Sequence, residues 1–385
     1  MRFLRTLSPR RLTAIVVVVA ALAATAAVAQ AGLIGSDPKP EPKALDRAVL
    51  DAVNAPPVKG ISARIEFTNS LLPAGTMPGG SPLVSGAEGR LWTTNDGRFR
   101  LELQSERGDA QIASDGKTLT VYDATAKKVY RLALPEEKAA REPQERATLA
   151  GVRKGLDRLA QAWTLSGAKP TSSAGRASYT VRIAPKDDGG LLGAGKLAWD
   201  AANGVPLRAA VYAQGQSDPV LELKATDISF GAVDDADVRV SVPSGVEAVD
   251  VDPPAGHDAK GTGTHADVTG VAAVQKRLGF DLSTPAKLAG LPRKEVRLVR
   301  FGDENGALSV YGEGLGGLVV LQREAGQGEE PGDSRLPQVN IDGATGTELA
   351  TALGTFVTFE RDGISYTVVG SVPPVAAENA ARGLR

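Results

Sequence analysis

The sequence predicts an α+β protein in which short antiparallel strands outnumber the helices. Its 44 Gly and 24 Pro residues, with only 4% aromatic residues, are typical of a chain with many turns between short elements. From Ile61 onward apolar and polar residues alternate, which is the period of a strand with one solvated face. Helical spacing is confined to a few segments, of which Arg146 to Trp163 is the longest. A length of 385 residues predicts roughly two to three domains.

The N-terminal segment predicts export. Residues 1–31 combine four Arg and no acidic residue with an apolar run from Leu12 to Ala29, which ends in small residues before Gly32. This run also approaches the length of a membrane span, but the small residues favour cleavage over retention as an N-terminal membrane anchor. In both cases the rest of the chain is extracytoplasmic, either secreted or attached to the cytoplasmic membrane. Residues 32–42 are rich in Pro and predict a stiff, extended tether.

Residues 43–252 predict a first domain that is mostly sheet. An amphipathic helix over Lys43 to Asn54 precedes the strands, and the helix Arg146 to Trp163 interrupts them. Asn95-Asp96-Gly97 and Asn203-Gly204 are typical hairpin turns. The predicted strands begin at Ile61, Gly89, Arg98, Ala110, Thr118, Lys128, Ser178, Gly195, Leu207, Val220 and Val238.

Residues 253–265 lack periodicity and predict a linker, and residues 266–385 predict a smaller α+β domain. A modest helix is expected over Ala266 to Leu278 and a last short helix over Pro374 to Leu384. The predicted strands between them begin at Glu295, Ala307, Leu318, Gly354 and Ile364.

The composition excludes several function classes. The chain has no Cys and two His, which removes thiol nucleophiles, disulfides and Cys-ligated metals and leaves little imidazole chemistry. A net charge of −1 gives no general attraction to nucleic acid, so no nucleic-acid partner is expected. Because an acid, a base and a nucleophile are not jointly visible, we expect a protein that is not an enzyme and needs no cofactor.

Three motifs have an ordinary structural interpretation. Gly312 to Gly317 satisfies the dinucleotide fingerprint G-x-G-x-x-G, but a strand follows it where the fingerprint needs a helix, so a hairpin turn is expected. His257 and His265 lie in the linker without carboxylates at ligand spacing, and no metal site is predicted. The acidic cluster Asp234-Asp235-Ala-Asp237 lacks calcium-loop spacing and is expected to be a solvated turn.

An ordered series of motifs resembles the LolA/RseB superfamily, which comprises outer-membrane lipoprotein carriers and related sigma-factor regulatory proteins. The series covers residues 44–250, with Thr120 and Asp96-Gly97 departing from the usual pattern. The resemblance implies an unclosed antiparallel β-barrel, or half-barrel, with a helical lid over an apolar cavity for acyl chains. The motifs are Gly89-Arg-Leu-Trp92, Phe99-Arg-Leu-Glu102, Ile112-Ala-Ser-Asp-Gly-Lys-Thr-Leu119, Tyr122-Asp123, Val129-Tyr130, Leu197-Ala-Trp-Asp200, Val205-Pro-Leu-Arg208 and Leu221-Glu-Leu-Lys224.

The expected function is therefore binding of a lipid or lipoprotein acyl chain, in a carrier or chaperone role. The candidate lining residues are apolar positions of the strands and of the helix Arg146 to Trp163, and core packing stays open as the alternative for each of them. They are Phe67, Leu91, Phe99, Leu101, Leu103, Leu119, Val121, Leu156, Leu159, Trp199 and Val211.

The second domain suggests an alternative. The motifs Phe280-Asp-Leu-Ser-Thr-Pro285, Leu288-Ala-Gly-Leu-Pro292 and Gly363-Ile-Ser-Tyr366 are similar to a small C-terminal module of RseB-like proteins. That similarity implies a regulatory sensor, which would contact an anti-sigma factor or another membrane regulatory protein through this domain.

Overall fold

The computed structural model describes residues 37–72, 81–106, 108–134, 146–186, 190–239, 245–251, 268–301, 304–326 and 336–384. The predicted export signal, both His residues and the predicted linker lie outside these ranges. Within them the protein is α+β and mostly sheet, as predicted, with one 13-stranded and one 8-stranded sheet. In the described ranges no helix is long and apolar enough to cross a membrane.

The first sheet is built from the residues up to Val251. Its helices are α1 (Leu45–Asn54), α2 (Pro82–Ser85) and α3 (Leu149–Ala162). Its strands are β1 (Gly60–Asn69), β2 (Ala87–Thr94), β3 (Phe99–Ser105), β4 (Gly108–Ser114), β5 (Thr118–Asp123), β6 (Lys128–Ala133), β7 (Trp163–Leu165), β8 (Lys169–Ser173), β9 (Arg176–Pro185), β10 (Leu192–Asp200), β11 (Pro206–Ala213), β12 (Leu221–Phe230) and β13 (Glu247–Val251).

The strand order of this sheet is β13-β6-β5-β4-β3-β2-β1-β12-β11-β10-β9-β7, with β8 also paired to β9. The two ends of this order, β13 and β7, are not paired with each other, so the sheet is open, as the half-barrel prediction requires. Every pairing is antiparallel except β13 with β6. Strands β12 and β13 are consecutive in the chain but not neighbours in this order, since β12 lies in the middle of the sheet and β13 at its edge.

The predicted strand Val238 to Val242 is corrected at its first two residues. Val238 lies in a turn and Arg239 in a bend, and residues 240–242 lie outside the described ranges. Val238 is buried there, the Arg98 guanidinium pairs with Asp235 at 2.8 Å, and the Arg100 guanidinium donates to the Arg239 carbonyl at 3.1 Å. Packing against the face of β3 thus replaces strand pairing, which the alternation of residues alone does not reveal.

The second sheet has the order β14-β15-β16-β17-β21-β20-β19-β18 and forms a curled, open half-barrel. Its helices are α4 (Val271–Gln275) and α5 (Pro374–Arg382), so the helix predicted over Ala266 to Leu278 is shorter than expected. Its strands are β14 (Lys287–Leu288), β15 (Leu291–Phe301), β16 (Glu304–Tyr311), β17 (Leu318–Glu324), β18 (Gln338–Ile341), β19 (Ala344–Thr351), β20 (Gly354–Arg361) and β21 (Ile364–Gly370).

Two backbone contacts join the sheets. The Ala352 amide donates to the Leu71 carbonyl at 2.8 Å, and the Leu191 amide donates to the Ser371 carbonyl at 3.0 Å. Gly190 precedes the second contact with φ +63°, and a Cβ there would lie 2.0 Å from the Ser371 carbonyl oxygen. Only glycine allows this approach, because it lacks the Cβ and adopts positive φ without strain.

Candidate ligand-binding face

The strand registers place the predicted lining residues of the sheet on one face, which we call the inner face. Leu91, Leu101 and Val121 lie in one cross-strand row, since Leu91 is opposite Leu101, Leu101 opposite Ile112, and Ile112 opposite Val121. Phe99 and Leu119 lie in the neighbouring row, both opposite Ser114. Side chains of a strand alternate between faces, so these two rows point to the same side.

The inner face divides into a filled part and a partly open part. Leu91, Leu101 and Leu103 are at most 8% exposed and belong to one packed cluster with residues of β1, β11 and β12. Trp199, 5% exposed, belongs to a second cluster under α1. The remaining candidates keep part of their surface accessible, although all are large and apolar. They are Phe67, Phe99, Leu119, Val121 and Val211 on the sheet and Leu156 and Leu159 on α3.

Helix α1 closes one end of the inner face. Leu45, Val49 and Ala52 pack against Trp199 and Tyr179, whose rings lie 6.1 Å apart. The Tyr179 hydroxyl donates to the Glu41 carbonyl at 2.5 Å and so fixes the end of the predicted tether. Val53, an apolar residue of the same helix, is 58% exposed.

Helix α3 begins at Leu149. The side chain of the preceding Thr148 caps it by accepting a hydrogen bond from the Gly151 amide. It contacts α1 and β7, and none of its residues is buried. Its apolar stripe is half-buried along its whole length; the stripe consists of Leu149, Val152, Leu156 and Leu159. A helix in this state is amphipathic but has no close-packed partner beneath it.

Polar contacts attach α3 to α1. The Arg153 Nε lies 2.7 Å from the Asp46 carboxylate, and this bond holds the pKa of Asp46 below its ordinary value. The Asn54 side chain bonds both the amide and the carbonyl of Ala147 at 2.9 Å. Both ends of α1 are therefore connected to the N-terminal part of α3 by exposed hydrogen bonds, which break at a modest cost in free energy.

The sequence missed several residues of this face. Ile112 and Leu132 continue the alternation and are half-buried on the inner face, so the same period would have identified them. Leu83 of α2 packs against the first cluster, but α2 has only four residues and gives no periodic signal. The Thr93 hydroxyl is buried on the inner face and has no hydrogen-bond partner among the described residues.

An open cleft of about 680 Å³ lies at the end of β1, β2 and β3. Phe67 is the one predicted lining residue that borders it, and its other walls are largely polar, including Glu66, Glu88 and Gln104. This cleft differs in chemistry from the apolar cavity that the sequence predicts.

The described residues contain no cluster of His, Asp or Glu that could hold a metal ion. Residues Gly314–Gly316 form a 3₁₀ turn between β16 and β17, and Gly312 and Gly314 have φ of +73° and +63°. The turn predicted for the G-x-G-x-x-G motif is thus confirmed, since a strand follows it.

No protein-family profile and no curated protein sequence matches the chain. Among solved structures, it is similar to the Pseudomonas aeruginosa MucA/MucB complex, with 16% identity, a TM-score of 0.42 and coverage of 88% of this chain and 96% of that chain. A putative outer membrane lipoprotein-sorting protein domain from Vibrio parahaemolyticus shows 13% identity, a TM-score of 0.23 and coverage of 51% and 95%. A LolA superfamily protein from Nitrosomonas europaea shows 9% identity, a TM-score of 0.22 and coverage of 51% and 98%. At these identities and TM-scores, the likenesses carry no conclusion about family, ligand or partner.

Proposed function

We propose that this protein is extracytoplasmic and binds the acyl chain of a lipid or lipoprotein between the inner face of its first sheet and helix α3. The observation that carries the proposal is the half-buried apolar stripe of α3, which includes Leu156 and Leu159 and contains no buried residue. A filled interior would bury such a stripe, because protein cores pack at crystal density.

The proposal separates the candidate residues by burial. Leu91, Leu101, Leu103 and Trp199 are core and support the sheet. Phe67, Phe99, Leu119, Val121, Val211, Leu156 and Leu159 retain accessible apolar surface and line the binding space. A hydrocarbon chain gains about 0.8 kcal/mol per methylene that it buries, so several methylenes give useful affinity without a polar contact. No catalytic step is part of this function.

We further propose the domain boundaries that the sequence predicts: a tether over 32–42, a lipid-binding domain over 43–252, a linker over 253–265 and a second domain over 266–385. The separate apolar clusters of the two sheets support this division. Limited proteolysis should first cleave within 253–265, and recovery of cuts only inside 61–240 would contradict it.

Titration with a fluorescent fatty acid tests the binding proposal. Leu156→Asp and Leu159→Asp place a carboxylate on the apolar stripe and should weaken binding at least about tenfold, because a charge in hydrocarbon surroundings is unfavourable. Ala150→Asp adds the same carboxylate at an exposed position of α3 and should retain the affinity of the wild type.

Melting temperatures complete this test. Because Leu156 and Leu159 are half-buried, both Asp variants should stay folded. Unfolding of these variants would indicate a filled core, and folded variants with unchanged affinity would remove α3 from the binding site.

A second candidate function has its own observation. On the outside of the second sheet, a row of half-buried or exposed apolar side chains crosses five strands, including Phe356, which is 44% exposed. The row consists of Val310, Val319, Val369, Phe356 and Leu349. Such a row favours contact with a protein, which would be an anti-sigma factor or another membrane protein in the regulatory alternative. A wild-type protein that binds no fatty acid but copurifies with a membrane protein would favour this function.

A further inference from the structure

The open cleft at the end of β1, β2 and β3 is built into the fold, and the acyl-binding proposal leaves it without a role. Its volume of about 680 Å³ lies within the roughly 300–1,000 Å³ of small-molecule sites. Gly86 has φ +82°, and a Cβ there would lie 2.8 Å from the Phe67 carbonyl oxygen. The Asn69 side chain donates to the Leu83 carbonyl at 2.8 Å and accepts from the Leu71 amide at 3.1 Å. These contacts hold the end of α2 against β1 and form one wall of the cleft.

The charged side chains that line the cleft all have the same sign. They are Glu66, Glu88 and Glu106, and the lining contains no Lys or Arg among the described residues. Glu66 is directly opposite Glu88 across the strands, and directly opposed like charges destabilise a sheet. The Lys224 ammonium lies 3.0 Å from the Glu66 carboxylate and compensates this charge. The other two carboxylates need a partner from elsewhere.

The nearest cation on the same strand does not supply that partner. Arg90 lies two residues from Glu88 and on the same face, but it is directly opposite Glu102 on β3. No Lys or Arg of the described ranges forms an ion pair with Glu88 or Glu106, and both carboxylates belong to exposed residues. Two carboxylates in one open cleft therefore remain available to a cation of a ligand.

The cleft meets the inner face along its apolar wall. Phe67 lines the cleft and is also one of the residues that we propose to line the acyl site. Asn69 lines the cleft as well and is directly opposite Leu221, which in turn is directly opposite Val211. Phe67, Leu221 and Val211 are all half-buried. Accessible apolar surface thus continues from the cleft onto the inner face.

We propose that the cleft binds the cationic group of the ligand whose acyl chain lies on the inner face. The ligand class is then an acylated molecule with a primary amine or a basic side chain close to its acyl chain. This inference rests on the proposed acyl-binding function and adds the chemistry of the polar end. Glu88 and Glu106 pair with the cation, and the exposed amide of Gln104, directly opposite Glu88, bonds a neighbouring carbonyl group of the ligand.

Three acyl probes that differ only in charge test the proposal. They are lauroyl-glycyl-lysine amide, lauroyl-glycyl-glutamine amide and lauroyl-glycyl-glutamic acid amide, and each displaces an uncharged fluorescent acyl ester from the protein from Gly32 onward, which contains every described residue. The lysine probe should bind about fivefold more tightly than the glutamine probe, because exposed ion pairs contribute modestly. The glutamic acid probe should bind most weakly, and the preference for lysine should decrease as salt is raised.

A double variant assigns the preference to the cleft. Glu88→Gln with Glu106→Gln should lose the preference for lysine and keep the affinity for the glutamine probe. Its melting temperature should not fall, because Glu66 then loses a like-charged neighbour. The matched control is Asp281→Asn with Glu304→Gln, which removes two exposed carboxylates outside the cleft and should keep the preference.

The outcomes separate this inference from the function on which it rests. Equal affinity of the wild type for all three probes would overturn the inference and leave acyl binding intact, whereas failure of all three to bind would remove both. An equal loss of preference in the two double variants would reduce the effect to net charge and overturn the inference. Binding of acetyl-glycyl-lysine amide as tightly as its lauroyl counterpart would also overturn it, since the cleft would then bind a cation without an acyl chain.

Discussion

Helices α5 and α3 both have an apolar face, but the two faces are covered to different extents. Helix α5 presents Ala377, Ala380 and Ala381 to the second sheet, and all three are fully buried. Helix α3 carries Leu156 and Leu159 on its apolar stripe, contacts α1 and the short strand β7, and has no buried residue. Small side chains let α5 approach β20 and β21 closely, whereas the longer side chains of the α3 stripe are only half-buried.

The difference extends to the aromatic residues of the two sheets. Phe359 is 2% exposed and stacks on Tyr366 with ring centroids 4.9 Å apart, while Phe99 keeps part of its surface accessible. The second sheet is thus packed for stability, and the first combines a packed part with apolar surface that only a ligand could cover. Substitutions in the two regions should therefore differ in cost.

The largest effect is expected for Ala380→Asp. It places a carboxylate at a fully buried position between α5 and the sheet, and should destabilise the second sheet by about 4 kcal/mol or more. Trp fluorescence reports only on the first sheet, since Trp92, Trp163 and Trp199 all lie there, whereas circular dichroism reports on both. Loss of dichroism without a change in the Trp transition is the expected result. A coincident loss of both signals would show that the sheets unfold together.

Truncation of one aromatic residue in each region should give a smaller contrast. Phe359→Ala creates a cavity in a filled core and should cost about 3–5 kcal/mol of unfolding free energy. Phe99→Ala removes a side chain that is already partly exposed and should cost about 1 kcal/mol. Urea denaturation of both variants provides the measurement. Equal costs would mean that the inner face around Phe99 is as well packed as the second core.

The alternation of apolar and polar residues predicts which residues share the inner face, but it does not predict which of them are buried. Leu91, Leu101, Phe99, Leu119 and Val121 lie on one side of the sheet, because the strand period of two is independent of packing. Which of them are core depends on α2, on the curl of the sheet and on residues far along the chain, such as Leu207 and Phe230. Those contacts leave no local pattern.

Several strands that the sequence does not predict in full also depend on contacts between residues far apart in the chain. Strand β13 pairs parallel with β6 across a long connection, and short acidic segments such as Glu247–Val251 resemble loops in sequence. Strand β18 has only four residues, and β19 contains Gly346 and three Thr, so neither shows a clear alternation of apolar and polar residues. Strand Leu291–Phe301 begins four residues before the predicted start at Glu295. One edge of this strand pairs only with Thr269 and Lys287–Leu288 and has no full partner strand.

A moderate effect is expected where α3 meets α1. Asn54→Ala removes both hydrogen bonds to Ala147 and should destabilise the closed position of α3 by about 1 kcal/mol, which corresponds to about fivefold faster amide exchange in that helix. Lys43→Ala breaks only the ion pair with Asp51 within the N-terminal region and is the control. Exchange in the second sheet should not change in either variant. Unchanged exchange in α3 would mean that contacts other than Asn54 hold the helix in place.

The smallest effect is expected for Glu348, a carboxylate among apolar side chains at the edge of the second core. Burial, and secondarily the carboxylate of Glu378 on α5, raise the pKa of Glu348 above its ordinary 4.5, and its Oε2 atom is buried without a hydrogen-bond partner among the described residues. The folded state then holds this proton to a higher pH than the unfolded state does, so stability falls as the pH rises from 4.5 through the raised pKa and stays lower above it. Glu348→Gln removes that penalty and should raise the melting temperature at neutral pH by a few degrees at most, with no gain below pH 4.5. The control is Glu304→Gln, at an exposed strand end, which should leave the melting temperature unchanged at both pH values. Thermal melts followed by the near-ultraviolet dichroism of Tyr311 and Tyr366 measure this difference. An equal gain in melting temperature at both pH values would come from packing rather than from charge. It would contradict the charge penalty that is assigned to Glu348.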